Sequence, residues 1–96
     1  MTLVRDATYV RLRNIWVAVL GADDVQPDDD FVALGGDSLT ALATAVAVAK
    51  EFGLQDDEPD IATEALLLFG DTRTLARHAT HVNGRLRSRA KGTPSQ

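Results

Sequence analysis

The chain has 96 residues, 45% hydrophobic and 25% charged, which is enough for one domain with a single modest core. It has no cysteine, which excludes a disulfide framework and a cysteine-based zinc site, and no apolar run suits a membrane span, so we expect a cytoplasmic protein without a membrane contact. Residues 1–84 hold fourteen acidic and six basic side chains, a net −8, so we expect no nucleic-acid surface, which needs clustered cations.

The first predicted helix runs from about Leu3 to Leu20. Its apolar residues recur at the spacing of one helical face: Leu12, Ile15, Trp16, Val19 and Leu20. Gly21 then stands where a left-handed C-terminal cap is usual, and a long polar loop follows. Phe31, with Val32 and Leu34, supplies apolar side chains within this loop, so we expect the loop to be pinned to the core.

The second predicted helix begins at Ser38, with Asp37 as its N-cap, and ends near Phe52, with Gly53 as its stop. We expect one face of this helix to point into the core, composed of Leu39, Leu42, Val46 and Ala49. The outer face is expected to carry small, uncharged side chains: Thr40, Ala41, Thr44, Ala45 and Val48.

An acidic break at residues 55–60 separates the second helix from a short third helix that is expected to end at Gly70. A last helix from about Thr72 presents an apolar stripe of Leu75, Ala79, Val82 and Leu86. His78 and His81 on this helix are expected to be ordinary surface or boundary side chains. With no sustained period-2 alternation, the sequence predicts an all-α fold, a small antiparallel four-helix bundle of three longer helices and one short helix.

The end of the chain differs in charge from the rest. Residues 85–96 contain four cations and no acid, and they finish in small polar residues. We therefore expect a domain over residues 1–84 and a basic, disordered C-terminal tail over residues 85–96.

Ser38 is the candidate functional residue. Gly35 and Gly36 leave its hydroxyl accessible, and the start of a helix favours a negatively charged group such as a phosphate ester. A nucleophilic serine needs a base within hydrogen-bond reach and a third, orienting group, whereas both histidines lie far along the chain. We therefore expect Ser38 to be modified by a separate enzyme and not to act as a catalyst.

The segment "DDDFVALGGDSLTAL" resembles the acyl- and peptidyl-carrier protein family, and the resemblance extends over about residues 10–82. In that family a phosphopantetheinyl transferase attaches 4'-phosphopantetheine from coenzyme A to the serine at this place. The resemblance thus implies attachment at Ser38, with Gly36, Asp37 and Leu39 completing the site, and an acyl-carrier-like bundle. The doubled glycine in "LGGDSL" is similar to the peptidyl-carrier (thiolation) branch of nonribosomal peptide synthesis.

The resemblance also implies a non-catalytic carrier of aminoacyl or acyl thioesters, expected to be a monomer. Its partners would be the transferase, an adenylating enzyme, and condensing or tailoring enzymes. No acid lies between Leu39 and Lys50, which argues against docking to the basic surfaces of fatty-acid enzymes. We expect partner contacts through small side chains on the outer face of the second helix instead, at Thr40, Ala41, Thr44 and Val48, beside Leu39. Because the chain starts with Met1 and ends in a polar tail, a free-standing carrier is expected.

Four alternative functions match parts of the same pattern. A polyketide-type acyl carrier protein remains open. The letters "GDSLT" at residues 36–40 match GDSL esterases, but that family needs a sheet and an aspartate three residues before a histidine, which neither His78 nor His81 has. Calcium-loop frames from Asp24 or Asp28 lack the required glycine and glutamate. A plain helical interaction module would leave Ser38 as an ordinary first-turn residue.

Overall fold

The computed structural model describes residues 7–91, which form four helices: α1 (Ala7–Leu20), α2 (Ser38–Phe52), α3 (Ile61–Leu67) and α4 (Leu75–Lys91). The closely packed pairs are α2 with α3, and α1 with α2 and with α4. Within this part of the chain the only β-type pairing is an isolated antiparallel bridge between Asp30 and Thr74. The predicted all-α four-helix bundle is therefore confirmed, although the predicted start of α1 at Leu3 lies outside the described residues. None of the described helices combines the length and apolarity that a membrane span requires.

Trp16 is the centre of the core. Its side chain is fully buried, and its ring meets the Phe31 ring edge to face, with centroids 5.1 Å apart. The indole Nε1–H donates to Nδ1 of His78 at 3.0 Å, so the polar atom of this large side chain is satisfied inside the core. Trp16 thus links α1 to α4, and the loop residue Phe31 is fully buried against it, so the predicted anchoring role of Phe31 is confirmed.

The predicted orientation of α2 was wrong. The buried side of this helix carries Ala41, Thr44, Ala45, Val48, Ala49 and Phe52. Three of the four residues expected to point inward are instead exposed: Leu39 by 76%, Leu42 by 44% and Val46 by 36%. Small side chains let the α2 backbone approach α1 and α3 closely, and at that spacing the core has no room for a row of leucines. Ala49 alone of the predicted inward set is buried.

Helix α3 is shorter than predicted. Asp60 caps it by accepting from Thr63 N at 2.9 Å, and the helix ends at Leu67, after which the chain turns. Helix α4 begins at Leu75, three residues later than predicted, and its predicted apolar stripe is confirmed as buried or partly buried.

His78 is a core residue, which corrects the predicted surface or boundary position. It is only 2% exposed, because the indole of Trp16 supplies a donor that satisfies its Nδ1. Burial, with a smaller contribution from the charge of His81, lowers the pKa of His78 from 6.5 to about 3. His81 is half-buried, as a boundary residue is, but it pairs with Glu64 of α3, a contact that was not predicted.

The predicted disordered tail is also corrected in part, since α4 continues through residues 85–91. Arg85 pairs with Glu64, and Arg89 pairs with Asp57, so two of the basic residues of this segment have partners earlier in the chain. These ion pairs connect the last turns of α4 to α3 and to the segment before it. Residues 92–96 lie outside the described part, and the domain boundary at residue 84 stays a prediction.

Candidate functional site

The loop that leads into α2 is fixed to the rest of the fold at Asp30 and Phe31. The backbone N–H of Phe31 donates to the carbonyl oxygen of Arg73 at 2.7 Å, and Asp30 Oδ2 pairs with Arg73 Nε at 2.8 Å. The other oxygen of Asp30 accepts from the backbone N–H groups of Val32 and Ala33, at 2.8 and 3.1 Å. These bonds, chiefly that from Ala33, hold the pKa of Asp30 below its usual value. The loop therefore enters α2 from a defined position.

Gly36 is required for packing as well as for access to Ser38. A Cβ atom at residue 36 would overlap the Phe31 ring and lie 2.7 Å from the Phe31 carbonyl oxygen. That oxygen accepts from Gly36 N at 2.9 Å, so the backbone crosses directly over the buried ring. Gly35 has φ +101°, a value that favours glycine, and nothing lies near its missing side chain. Together they turn the chain from Phe31 into α2 within a few residues.

Asp37 caps α2, as predicted. Its Oδ1 accepts from Thr40 N at 2.9 Å, and Thr40 Oγ1 accepts from Asp37 N at 2.8 Å, which completes a capping box. The hydrogen bonds from Thr40 lower the pKa of Asp37 below its usual value. The carboxylate is thus committed to the helix start. Thr40, expected to contact partners, serves in this cap.

Ser38, the first residue of α2, is exposed. Within residues 7–91, neither imidazole forms a hydrogen bond with it: His78 is bonded to Trp16 and His81 to Glu64. A serine nucleophile of the esterase type also needs an α/β sheet, and this fold is all-α. Ser38 is thus open to a large partner, and both imidazoles of the described residues are bonded elsewhere.

Two apolar grooves border the start of α2. The first has a volume of about 260 Å³ and lies between α2 and α3, beside Ser38; it is lined chiefly by Leu42, Ala65, Leu66 and Phe69. The second, of about 450 Å³, follows the exposed side of α2, from Leu39 through Leu42 and Val46 to Lys50. Leu42 belongs to both grooves, so they form one apolar surface around the hydroxyl.

The predicted partner-binding residues do not form a surface. Ala41, Thr44 and Val48 are buried at 1%, 0% and 4% exposure, and Thr40 is occupied by the cap. Only Leu39 of the residues expected to meet a partner is well exposed. The error follows from the reversed orientation of α2, and the exposed residues that sequence reasoning missed are Leu42 and Val46.

Comparison with known proteins gives a consistent result. The family model described as "Phosphopantetheine attachment site" matches residues 10–81. "Nonribosomal peptide synthetase 6" of Alternaria brassicicola is 45% identical over 53 residues, 54% of this chain and 4% of that protein. "Nonribosomal peptide synthetase criC" of Aspergillus cristatus is 36% identical over 83 residues, 83% of this chain and 4% of that protein.

A third relative is named for a different kind of machinery. A phenolphthiocerol/phthiocerol polyketide synthase component of Mycobacterium tuberculosis is 46% identical over 44 residues, 46% of this chain and 3% of that protein. The chain therefore spans only about 3–4% of the length of these curated relatives. No solved structure matches the chain significantly.

Proposed function

Because the chain belongs to the phosphopantetheine attachment-site family, we propose that Ser38 is its attachment residue and that the modified chain tethers aminoacyl or acyl intermediates as thioesters. Members of this family carry 4'-phosphopantetheine as a covalent group. That group supplies the terminal thiol, which a chain without cysteine lacks.

One observation carries the assignment to Ser38: its hydroxyl stands exposed at the start of α2 while both imidazoles are committed elsewhere. In the modification, the Ser38 oxygen forms a new ester bond to phosphorus as the pyrophosphate bond of coenzyme A breaks. The released 3',5'-adenosine bisphosphate takes the electron pair of the broken P–O bond, and a base of the transferase takes the hydroxyl proton. The chain itself has to expose the oxygen and hold it still, which the Asp37–Thr40 capping box and the buried Phe31 do. The exposed Ser38 on a capped helix start is therefore compatible with a covalently attached 4'-phosphopantetheine.

The exposed apolar side of α2 supports a partner surface different from the one predicted. Three exposed apolar residues follow Ser38 along the helix: Leu39, Leu42 and Val46. No acidic residue lies between them. An apolar surface next to the attachment point suits contacts based on shape and buried area. We propose that the transferase, an adenylating enzyme and condensing or tailoring enzymes contact this surface. Leu42→Asp should slow the attachment of phosphopantetheine. Thr80→Asp, at an exposed position of α4, should not.

A nonribosomal peptide pathway is favoured over a polyketide pathway because several relatives are named as nonribosomal peptide synthetases. The polyketide alternative has support from the Mycobacterium relative. Incubation of the modified chain with amino acids, ATP and an adenylating enzyme, or with malonyl-type substrates and an acyltransferase, separates the two. Loading by an enzyme added in trans would show that the carrier is recognised without a covalent link to that enzyme; that it is a monomer in the cytoplasm stays a separate proposal.

Intact-mass spectrometry tests the attachment residue. The chain is incubated with coenzyme A and a promiscuous phosphopantetheinyl transferase, and one adduct is expected. Ser38→Ala should take none, whereas Ser88→Ala, which removes another exposed serine on α4, should take one. A folded wild-type chain that remains unmodified, or a modified Ser38→Ala variant, would contradict the proposal.

A further inference from the structure

Glu64 is the one carboxylate that the structure buries in the α3–α4 region. Its side chain is 7% exposed, and it accepts from Nε2 of His81 at 2.8 and 3.0 Å. Nη1 of Arg85 lies 3.1 Å from the same carboxylate, with a side chain only 10% exposed. Both donors come from α4, one turn apart. A buried carboxylate is costly without such partners, so removal of a partner is expected to destabilise α3.

The pairing belongs to a longer stripe. His81, Arg85 and Arg89 stand at successive i, i+4 positions of α4, and we call them the α4 basic stripe. Arg85 Nη2 also donates to the carbonyl oxygen of Pro59 at 3.5 Å. Arg89 pairs with Asp57 at 3.6 Å and donates to the carbonyl oxygen of Gly53. The α4 basic stripe therefore binds the segment from the end of α2 to α3 at several points.

Helix α3 depends on these contacts more than the other helices do. It has seven residues, and helices shorter than about 12–15 residues are marginal on their own. It packs closely against α2. Among the described residues, the pair of α3 with α4 is not one of the closely packed helix pairs. Side chains, with Glu64 at the centre, make the link to α4. Loss of that link would let α3 shift along α2.

The opposite side of α3 reaches the site. Ala62, Ala65 and Leu66 line the apolar groove that contains Ser38, so a shift of α3 changes one wall of that groove. We propose that Glu64 is a positioning residue: by binding the α4 basic stripe it fixes α3, and with it the surface that a modifying enzyme meets beside Ser38. This inference rests on the proposed function of Ser38.

The first arm of the test measures α3 directly. Amide hydrogen exchange is recorded for the full chain, for His81→Ala and Glu64→Ala, and for His81→Gln, whose amide N–H can still donate to the carboxylate. The backbone N–H groups of Glu64 and Leu68 donate hydrogen bonds to the carbonyl oxygens of Asp60 and Ala65. Their exchange rates should rise about tenfold or more in the alanine variants. Exchange in α1 and α2 should stay unchanged, and His81→Gln should resemble the wild type.

The matched control removes an ion pair at a distance from α3. Arg13, within α1, pairs at 2.7 Å with Asp24 of the loop that follows this helix, and both side chains are partly exposed. Arg13→Ala should leave α3 exchange unchanged. Should Glu64→Ala fail to fold, His81→Ala carries the test, since His81 is the more exposed partner.

The second arm measures transfer of phosphopantetheine from coenzyme A, with the carrier as the varied substrate. His81→Ala should raise KM for the carrier about five- to tenfold with kcat within about twofold, and His81→Gln should restore the wild-type KM. Unchanged α3 exchange, or faster exchange with an unchanged KM, would overturn the positioning role while leaving the proposed function intact. A folded wild-type chain that takes no adduct would overturn both, and the exchange arm would then report only how α3 is held.

Discussion

Acid should weaken this fold through His78. The buried imidazole has a pKa of about 3 in the folded chain, against 6.5 when unfolded, so between these values the unfolded state binds a proton that the folded state does not. Stability is therefore fully present above pH 6.5 and declines as pH falls towards about 3. The slope is about 1.4 kcal/mol per pH unit, which makes the loss at pH 5 about 2 kcal/mol. For a domain of this size that is a large share of the free energy of unfolding.

Urea unfolding followed by circular dichroism at pH 7 and pH 5 measures this loss. The reference is His78→Asn, because Asn cannot titrate and its Oδ1 can accept the indole N–H that His78 Nδ1 accepts now. His81→Gln in both backgrounds removes the titration of the neighbouring histidine. The chain with His78 should lose about 2 kcal/mol more between pH 7 and pH 5 than the Asn variant. Equal losses would refute the argument that burial keeps His78 neutral.

The remaining predictions concern stability and are checked by the same unfolding measurement at pH 7. Thr44→Val should stabilise the fold by about 1 kcal/mol, because the Thr44 hydroxyl is buried without a hydrogen-bond partner. Gly36→Ala should cost about 1–3 kcal/mol, because the added methyl group meets the Phe31 ring. Gly84→Ala should add about 0.5–1 kcal/mol, since residue 84 lies within α4 with open space around it. Trp16→Ala should cost about 3–5 kcal/mol, as the loss of a fully buried side chain does.

Each of these has a result that would count against it. A destabilising Thr44→Val would mean that the hydroxyl has a partner, and a neutral Gly36→Ala would mean that the loop adapts without cost. Loss of stability in Gly84→Ala would show that α4 does not continue past residue 84 as a regular helix. A mild Trp16→Ala, set against an equally mild Ser38→Ala, would contradict the assignment of buried and exposed positions.

The sequence predicted what local signals determine. Helix α2 starts at Ser38 and is followed by a left-handed Gly53, because an Asp cap and a glycine stop act within a few residues of the chain. The anchoring role of Phe31 could be predicted because an aromatic side chain in a polar loop is expected to pack into the core. The helical class followed from periodicity alone. These features depend on residues that are close together in the sequence, so a single sequence is enough to predict them.

The orientation of α2 could not be found in that way. Its residues are apolar or small on nearly every side, so no charged face marks the solvent side until Lys50. Size suggested that Leu39 and Leu42 were core residues, but the close approach of α1 and α3 selects the alanine side instead. The predicted partner residues failed for this reason.

Contacts between distant parts of the chain were also missed. His78 was assigned to the boundary because its acceptor role depends on Trp16, 62 residues earlier. The last turns of α4 were expected to be disordered because Arg85 and Arg89 find partners only across the fold, at Glu64 and Asp57. A basic segment without visible partners in sequence is typical of a tail, and only the folded arrangement shows otherwise.

Peptide mapping tests the central claim most directly. Trypsin should release residues 14–50 as one peptide, in which the only hydroxyl groups are those of Ser38, Thr40 and Thr44. After incubation with coenzyme A and a transferase, fragmentation of this peptide should place a single phosphopantetheine on Ser38. An adduct on either threonine, on a different peptide, or on no peptide of a folded chain would contradict the account.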